Sequence, residues 1–406
     1  MSNSDAEAAP FISTTDLVRS IHAAGVRFVL AITGGGSGAI RDLLVVPGGS
    51  RVLVEAIVPY AAEALARWLG AAPEQFCSPT TARGMAMRAF ERATSYEADN
   101  AAQTEPAAAA SAASNAHAAG TTILGIGCTA SLATDRPKRG AHRVHLSWQS
   151  STATATYSLE LVKGARERAD EEALVSQLLL NSLAEAVGVS QRVRLALLLN
   201  ESIERSIVRA PADWQALFVG TTRRVYQGPP REANAQPLAV FPGAFNPRHH
   251  GHQRMVEVAA ARLGVAIEHE ISIENVDKPP LNFADLQFRS QQFGPDEALW
   301  FTRAPTFVEK SGLFPGAIFI VGADTVTRIG DPRYYGDDVA RRDTALAGIA
   351  AAGCRFLVFG RKVGERFETL ADVVLPPALA ALCEGVPADA FRDDVSSTEL
   401  RRAAEE

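Results

Sequence analysis

The chain has 406 residues, 47% of them hydrophobic and 21% charged, and its formal net charge is −6. A chain of this length can hold two domains, and this composition is typical of a soluble globular protein. The acidic balance argues against a broad surface for nucleic acid or for anionic membranes. Any site for a phosphorylated ligand must therefore be local.

Cysteine usage and the N-terminus bear on the cellular compartment. The four cysteines are scattered and no pair has Cys-x-x-Cys spacing, so we expect neither a zinc cluster nor a disulfide framework. Scattered thiols are typical of the cytosol. The first residues lack the basic and apolar regions of a signal peptide. The sequence contains no run of about 18 apolar residues, so we expect no membrane-spanning helix. We therefore expect a cytoplasmic protein without a membrane partner.

The first half, residues 13–225, alternates helical and strand-like patterns. A glycine cluster, Gly34 to Gly38, follows the first strand. Residues 97–119 are alanine-rich and offer no large apolar face, which predicts a mobile insertion. The predicted elements in chain order are a helix at 16–24, strands at 26–32 and 52–58, a helix at 79–92, strands at 121–127 and 143–148, and a helix at 170–187.

A stretch rich in proline and glycine at 226–237 is the predicted linker, and a second domain follows at 238–406. Strands are predicted at 238–241, 266–273, 317–321 and 355–359, with helices at 250–263 and 397–405. This is the alternation of a parallel sheet covered by helices. The predicted fold class is therefore α/β in both halves, with a Rossmann-like parallel sheet in the second.

The segment from Gly243 to His252 is the most informative motif. It follows an apolar strand with a glycine turn and carries Phe245, Asn246 and His249 before a helical pattern begins. A strand, a glycine turn and a helix start form an anion site. Two histidines three residues apart can face the same side and donate hydrogen bonds to phosphate oxygens. The segment predicts a polyphosphate site.

Two later segments are candidates for the same site. Gly322 and Asp324 follow an apolar strand, where α/β folds bind ligands, and the carboxylate could face a ribose, a base or a metal. The last segment combines hydroxyls with a helix start and a guanidinium, at Ser396, Ser397, Thr398 and Arg401. Either segment alone is what an ordinary turn or helix cap provides. All three in this order favour a triphosphate site.

The motif at 243–252 resembles the Gly-x-Phe-x-Pro-x-His-x-Gly-His motif of the nucleotidyltransferase superfamily, which has a Rossmann-like fold. The later Gly-Ala-Asp and Ser-Ser-Thr-x-x-Arg segments are similar to the nicotinamide-mononucleotide adenylyltransferase branch, as is the stretch 303–310. The resemblance covers about residues 238–403. Cytidylyltransferases usually carry a different final motif, which makes them a weaker match.

The resemblance implies adenylyl transfer from ATP, with Mg²⁺ on its phosphates, to a mononucleotide. It implies that His249 and His252 contact the ATP phosphates and that the last segment, with Arg401, holds the β- and γ-phosphates. Asp324 would lie near the nucleotide. Lys278 could reach the acceptor phosphate, although the sequence alone favours an ordinary exposed loop lysine. Trp300 could stack on the nicotinamide ring, although its residue type and position favour a core tryptophan.

Several segments of the first half, from Thr33-Gly-Gly to Gly125-Ile-Gly127, resemble the CinA C-terminal, nicotinamide-nucleotide amidohydrolase family over about residues 14–190. That family uses a serine nucleophile and a lysine, and here Ala31 and Leu65 align with them. Serine–lysine catalysis needs a hydroxyl and a base in contact. We expect a catalytically silent domain that binds nucleotide or assembles a homo-oligomer. Ser37 in the glycine cluster is the remaining candidate nucleophile.

The expected function is therefore a nicotinamide- or nicotinate-mononucleotide adenylyltransferase that forms NAD and pyrophosphate. Two alternatives stay open. One is an adenylyltransferase or cytidylyltransferase with another phosphorylated acceptor. The other is a nucleotide-binding sensor or scaffold without catalysis, in which the histidine, hydroxyl and arginine set of residues 249–252 and 396–401 would not be required.

Overall fold

The computed structural model describes residues 11–104, 123–136, 139–232, 235–276, 279–363 and 366–392. The chain forms two compact units. The first comprises Met1–Val219 with Asp277–Asp285, and the second comprises Gly220–Val276 with Leu286–Glu406. Both are α/β units, the first on a mixed sheet and the second on a sheet that is parallel except at one edge, which confirms the predicted α/β fold class.

The first unit contains a six-stranded sheet in the order β2-β1-β3-β4-β5-β6. Strands β2, β1 and β3 run parallel, and β4 to β6 continue as an antiparallel series. Its elements are α1 Thr14–Ala23, β1 Arg27–Thr33, α2 Gly38–Val45, β2 Leu53–Ile57, α3 Ala62–Leu69, α4 Pro79–Thr104, β3 Ile123–Ser131, β4 His142–Gln149, β5 Ala153–Leu161, α5 Arg168–Ala186, β6 Ile203–Arg209 and α6 Ala212–Val219.

Both faces of the first sheet are covered by helices. Helices α1, α2 and α5 pack on one face around Leu30, Ile126 and Leu179. Helices α3 and α4 pack on the other around Val29 and Met85. Apolar residues alternate along β1 between the two clusters, as the period-two geometry of a strand requires.

The second unit contains a seven-stranded sheet in the order β15-β12-β11-β8-β9-β10-β7. All neighbours are parallel except β7, which runs antiparallel to β10. Its elements are β7 Arg224–Gln227, β8 Ala239–Pro242, α7 His250–Leu263, β9 Glu268–Ser272, α8 Phe283–Ser290 (its first three residues in the first unit), β10 Leu299–Thr302, α9 Phe307–Leu313, β11 Ile318–Gly322, α10 Ala323–Gly330, α11 Val339–Ala351, β12 Arg355–Phe359, β13 Arg361–Val363, β14 Arg366–Glu368, α12 Pro377–Ala380 and β15 Cys383–Gly385.

Some predicted elements differ from the observed ones. Helix α4 extends to Thr104, so the start of the stretch predicted as a mobile insertion is helical. Strand β7 occupies 224–227, which overlaps the start of the predicted linker. Strands β5 and β6 were not predicted, because β5 is rich in alanine and threonine although it is mostly buried, and β6 exposes polar and charged residues, so neither forms an apolar run. Residues 105–122 and the predicted helix at 397–405 lie outside the described residues.

Candidate functional site

Two of the predicted motif segments meet at the centre of the second sheet. Strands β8 and β11 are neighbours, with Val240 opposite Phe319. From β8 the chain continues to β9 and β10 on one side, while β11, β12 and β15 lie on the other. The histidine segment follows β8 and the Gly322 segment follows β11. Open α/β sheets bind ligands at such a switch point, beyond the carboxyl ends of the strands.

At the start of the histidine segment, the backbone of Gly243 passes close to the ring of Phe245. A Cβ on Gly243 would lie 2.6 Å from the Phe245 ring, so only glycine allows the backbone to pass there. Phe245 has a positive φ of 44°, a backbone region that bulky residues rarely occupy. The conformation is maintained by burial, since the Phe245 side chain is 1% exposed.

Burial corrects the expected role of Phe245. Its ring packs edge-on against Phe241, Phe293 and His252, with centroid distances of 5.4, 5.4 and 5.1 Å. The side chain therefore faces the interior rather than a ligand. The buried ring of Phe245 holds the segment in place. A nucleotide could contact the backbone near Phe245 but not its side chain.

Three side chains that the sequence analysis did not single out support this segment. Arg289 donates to the Ala244 carbonyl at 2.9 Å, and Gln292 donates to the Phe245 carbonyl at 2.9 Å. Arg248 forms a two-pronged ion pair with Glu297 at 2.6 and 2.8 Å. These bonds satisfy backbone carbonyls and fix the approach to the helix. Their partners lie more than 40 residues away in the sequence, so no local pattern indicates them.

His249 and His252 lie together at the start of α7. His249 is the N-cap and the two rings stack with centroids 3.8 Å apart. The backbone N–H of His249 donates to Nδ1 of His252 at 3.1 Å. Burial, helped by nearby His249 and Arg248, lowers the pKa of His252 to about 3. The neutral ring accepts at Nδ1 and so carries its proton on Nε2. That N–H is the group available for a phosphate oxygen.

A third histidine, His269 on β9, belongs to the same aromatic cluster. It is 2% exposed and packs 5.5 Å from Phe245 and 4.8 Å from Phe293. Neither of its ring nitrogens forms a hydrogen bond within the part of the chain that the structure describes. Burial lowers the pKa of His269 to about 4. The ring is neutral in the folded protein at ordinary pH.

This burial predicts acid sensitivity. An unfolded histidine titrates near pH 6.5, whereas folded His269 titrates near 4. Between these values the unfolded state binds more protons, so stability falls as the pH drops through this window. From these two pKa values, protonation of His269 in the unfolded state should by itself lower the free energy of unfolding by about 2 kcal/mol between roughly pH 7.5 and pH 5. His269→Phe should reduce the acid-dependent loss measured by chemical denaturation at both pH values. An equal loss in variant and wild type would contradict it.

Asp324 lies at the first turn of α10, directly after β11. Its carboxylate accepts from the Arg361 guanidinium at 2.8 Å, and both side chains are about half exposed. Arg361 follows β12, the strand next to β11, and was not predicted as a site residue. A cation therefore lies at the same edge of the sheet as Gly322. No group of three or more His, Cys, Asp or Glu side chains that could hold a metal ion occurs in the described ranges.

The remaining predicted site residues fall into two groups. Lys278, Ser396, Ser397, Thr398 and Arg401 lie outside the described residues. Trp300 does not have the stacking role that the resemblance suggested, because its ring is 6% exposed and packs against Tyr226 and Phe314. Its Nε1 donates to Glu268 at 2.7 Å. Trp300 is the core tryptophan that the sequence favoured.

The stretch 303–310 has a structural role in the second unit. Thr306 caps α9 and exchanges hydrogen bonds with Glu309. Lys310, 5% exposed, donates to both oxygens of Glu270 on β9 at 2.7 Å. Thr302 on β10 also donates to Glu270, at 2.5 Å. The buried ion pair ties α9 to two neighbouring strands.

In the first unit, a carboxylate occupies the glycine cluster. Glu172 on α5 accepts from the Gly36 N–H at 2.9 Å and from the Ser37 hydroxyl at 2.7 Å. The Gly38 N–H approaches the same carboxylate at 3.4 Å. Burial opposes ionisation, but the hydrogen bonds from Ser37, Gly36 and Gly38 outweigh it and hold the pKa of Glu172 below its usual value. Ser37 is thus hydrogen-bonded to an anion that is a weak base.

The positions aligned with the family's serine and lysine are apolar and packed together. Ala31 is fully buried on β1 and Leu65 is 2% exposed on α3. Both belong to one hydrophobic cluster with Val29 and Met85. Neither a hydroxyl nor an amine occurs at these two positions.

No family model and no curated protein sequence is detectably similar to the chain. Among solved structures, it is similar to a competence/damage inducible protein from Agrobacterium tumefaciens, with 17% identity and a TM-score of 0.30 over 44% of this chain and 97% of that one. A CinA superfamily protein from Enterobacter cloacae has 18% identity and a TM-score of 0.29, over 46% and 96%. One from Escherichia coli has 14% identity and a TM-score of 0.30, over 46% and 99%.

Two of these neighbours are described as CinA superfamily proteins. At such identities and TM-scores they carry no conclusion about activity. Among the described residues, no helix has the length and apolar character needed to span a bilayer.

Proposed function

We propose that the second unit is an adenylyltransferase that transfers AMP from ATP to a mononucleotide, nicotinamide or nicotinate mononucleotide in the first instance. The observation that supports it best is the donor at the switch point of the sheet. His252 is neutral, with Nδ1 bonded to the backbone and the proton on Nε2. A fixed donor at a strand end and helix start suits a phosphate that gains charge during reaction.

In the proposed reaction, a phosphate oxygen of the acceptor attacks the α-phosphorus of ATP. The new P–O bond forms while the bond to the bridging oxygen breaks, and pyrophosphate leaves with the electron pair. No covalent enzyme intermediate is needed, so catalysis rests on positioning and charge stabilisation. His252 would donate from Nε2 to the reacting phosphate, and His249 would support it. Mg²⁺ enters with ATP as part of the substrate.

Other residues have roles by resemblance or by position. Ser397, Thr398 and Arg401 would hold the β- and γ-phosphates, as in the family motif, and Lys278 the acceptor phosphate. Arg361, paired with Asp324 at the same sheet edge, is an additional cation for the triphosphate. If the triphosphate displaced the Asp324 carboxylate, Arg361 would exchange one anionic partner for another and keep an ion pair.

A pyrophosphate-release assay with ATP and a panel of phosphorylated acceptors tests the proposal. We expect release with nicotinamide or nicotinate mononucleotide and no release with ATP alone. Release only with a different phosphorylated acceptor would support another transferase of the superfamily. Calorimetric binding of ATP without release for any acceptor would contradict catalysis and favour a nucleotide sensor.

We also propose that the first unit is catalytically silent as an amidohydrolase. Ala31 and Leu65 provide no nucleophile or base, and the Ser37 hydroxyl is committed to Glu172. Ammonia release from nicotinamide mononucleotide by the full chain would contradict this. The scattered thiols agree with a cytoplasmic setting. The roles proposed for the first unit are nucleotide binding or the assembly of a homo-oligomer.

A further inference from the structure

Arg248 lies immediately before the N-cap of α7, at a position that the histidine motif leaves open. Its side chain is only 11% exposed, although arginine is usually a surface residue. The guanidinium donates to both oxygens of Glu297, at 2.6 and 2.8 Å, and to the Gln292 carbonyl at 3.2 Å. It also lies over the Phe293 ring, 4.7 Å from the centroid. All of these partners belong to the turn between α8 and β10.

The backbone of Arg248 is held by the same turn. Its N–H donates to Oε1 of Gln292 at 2.7 Å, while Nε2 of the same amide donates to the Phe245 carbonyl at 2.9 Å. Glu297 also accepts from the Gly294 N–H at 2.9 Å, which fixes the carboxylate in the turn. The hydrogen bonds from Arg248 hold the pKa of Glu297 below its usual value against the opposing effect of burial. We call Arg248, Gln292 and Glu297 the clamp.

The clamp lies one peptide away from the bond that sets the tautomer of His252. The peptide that joins Arg248 to His249 carries the N–H that donates to Nδ1 of His252 at 3.1 Å. Because a peptide unit is planar, fixing the Arg248 backbone limits the directions in which this N–H can point. While the N–H is in place, the neutral His252 ring carries its proton on Nε2.

We propose that the clamp positions His252, by directing the His249 N–H at Nδ1 and so keeping the proton on Nε2. Arg248 is then a positioning residue and not a ligand of the triphosphate, because its guanidinium is committed to the 292–297 turn. The expected effect on transfer rests on the adenylyltransferase function proposed above, whereas the expected effect on the tautomer does not. A misplacement of about 1 Å in a reacting group can cost about a hundredfold in rate.

Arg248→Met removes the guanidinium and keeps an apolar stem of similar length. We expect kcat for pyrophosphate release to fall by about 10- to 100-fold, with the KM for ATP changed by less than about threefold. Arg248→Lys keeps the charge without the two-pronged bond and should recover only part of the rate. Arg254→Met is the matched control, because Arg254 pairs with Glu257 on the surface of the same helix, and it should keep the wild-type rate. Thermal melting checks that all variants fold.

The tautomer of His252 is measured by nitrogen NMR of the full chain with isotope-labelled histidine, and His252→Asn assigns the signal. Wild type and Arg254→Met should show a single neutral tautomer with the proton on Nε2, and Arg248→Met should show both tautomers. An unchanged single tautomer in Arg248→Met would overturn the proposal. A raised KM for ATP at unchanged kcat would also overturn it, since Arg248 would then be a ligand of ATP. If the wild type releases no pyrophosphate with any acceptor, the proposed function fails, and the tautomer comparison still decides the role of the clamp.

Discussion

Replacing His252 by asparagine should lower adenylyl transfer by roughly two to four orders of magnitude while leaving the fold intact. Asparagine can still accept the hydrogen bond from the His249 backbone N–H, which Nδ1 of His252 accepts at 3.1 Å in the wild type. It has no group at the position of Nε2. The variant therefore separates helix capping from donation to phosphate, two roles that an alanine substitution would remove together.

Turnover is measured by pyrophosphate release, and folding by thermal melting. His252→Gln places an amide N–H closer to the Nε2 position and should recover part of the rate. His250→Asn is the matched control, because His250 is the exposed neighbour on the same helix turn and should change the rate by less than about twofold. A near-normal rate for His252→Asn would remove His252 from the catalytic role.

Replacing Lys310 by methionine should destabilise the second unit by about 3–5 kcal/mol. The substitution leaves the Glu270 carboxylate buried without its cation, since Lys310 donates to both of its oxygens at 2.7 Å. Removing one partner of a buried pair is far more costly than removing both, because the remaining charge stays desolvated. Chemical denaturation measures the loss.

The double variant Lys310→Met with Glu270→Gln should recover most of that stability. Arg254→Met is the control, because Arg254 and Glu257 form a surface pair with side chains 50% and 64% exposed. Such a pair contributes about 1 kcal/mol or less. A Lys310→Met variant as stable as the Arg254→Met control would show that the buried pair adds nothing to the fold.

Local patterns predicted four strands of the second sheet, β8, β9, β11 and β12, but not β7, β10 or β15, and of the helices described in this unit only α7. The helix predicted at 250–263 is observed over the same residues, and the strand at 355–359 likewise. Apolar runs bounded by glycine indicate these elements directly. The parallel order and the meeting of the Gly243 and Gly322 segments follow from the alternation of strands and helices.

Features that depend on distant partners could not be predicted. Glu172 reaches the glycine cluster across 136 residues, and Asp324 pairs with Arg361 from another strand end. Nothing local to either carboxylate indicates its partner. For Trp300 and Phe245 a ligand contact was considered from the sequence, and the structure shows buried side chains instead. Their residue types suggest ligand contact, whereas their positions on or beside buried strands place them in the core.

Strand β7 has a practical consequence for dividing the gene into fragments. It covers the outer edge of β10, with Gln227 opposite Leu299 and Arg224 opposite Thr302. A fragment that starts at residue 238, after the proline-rich stretch, would leave the apolar strand β10 with bare N–H and C=O groups. Unprotected edges of this kind pair with other copies and aggregate. Soluble expression of the second unit therefore requires a start at or before residue 220.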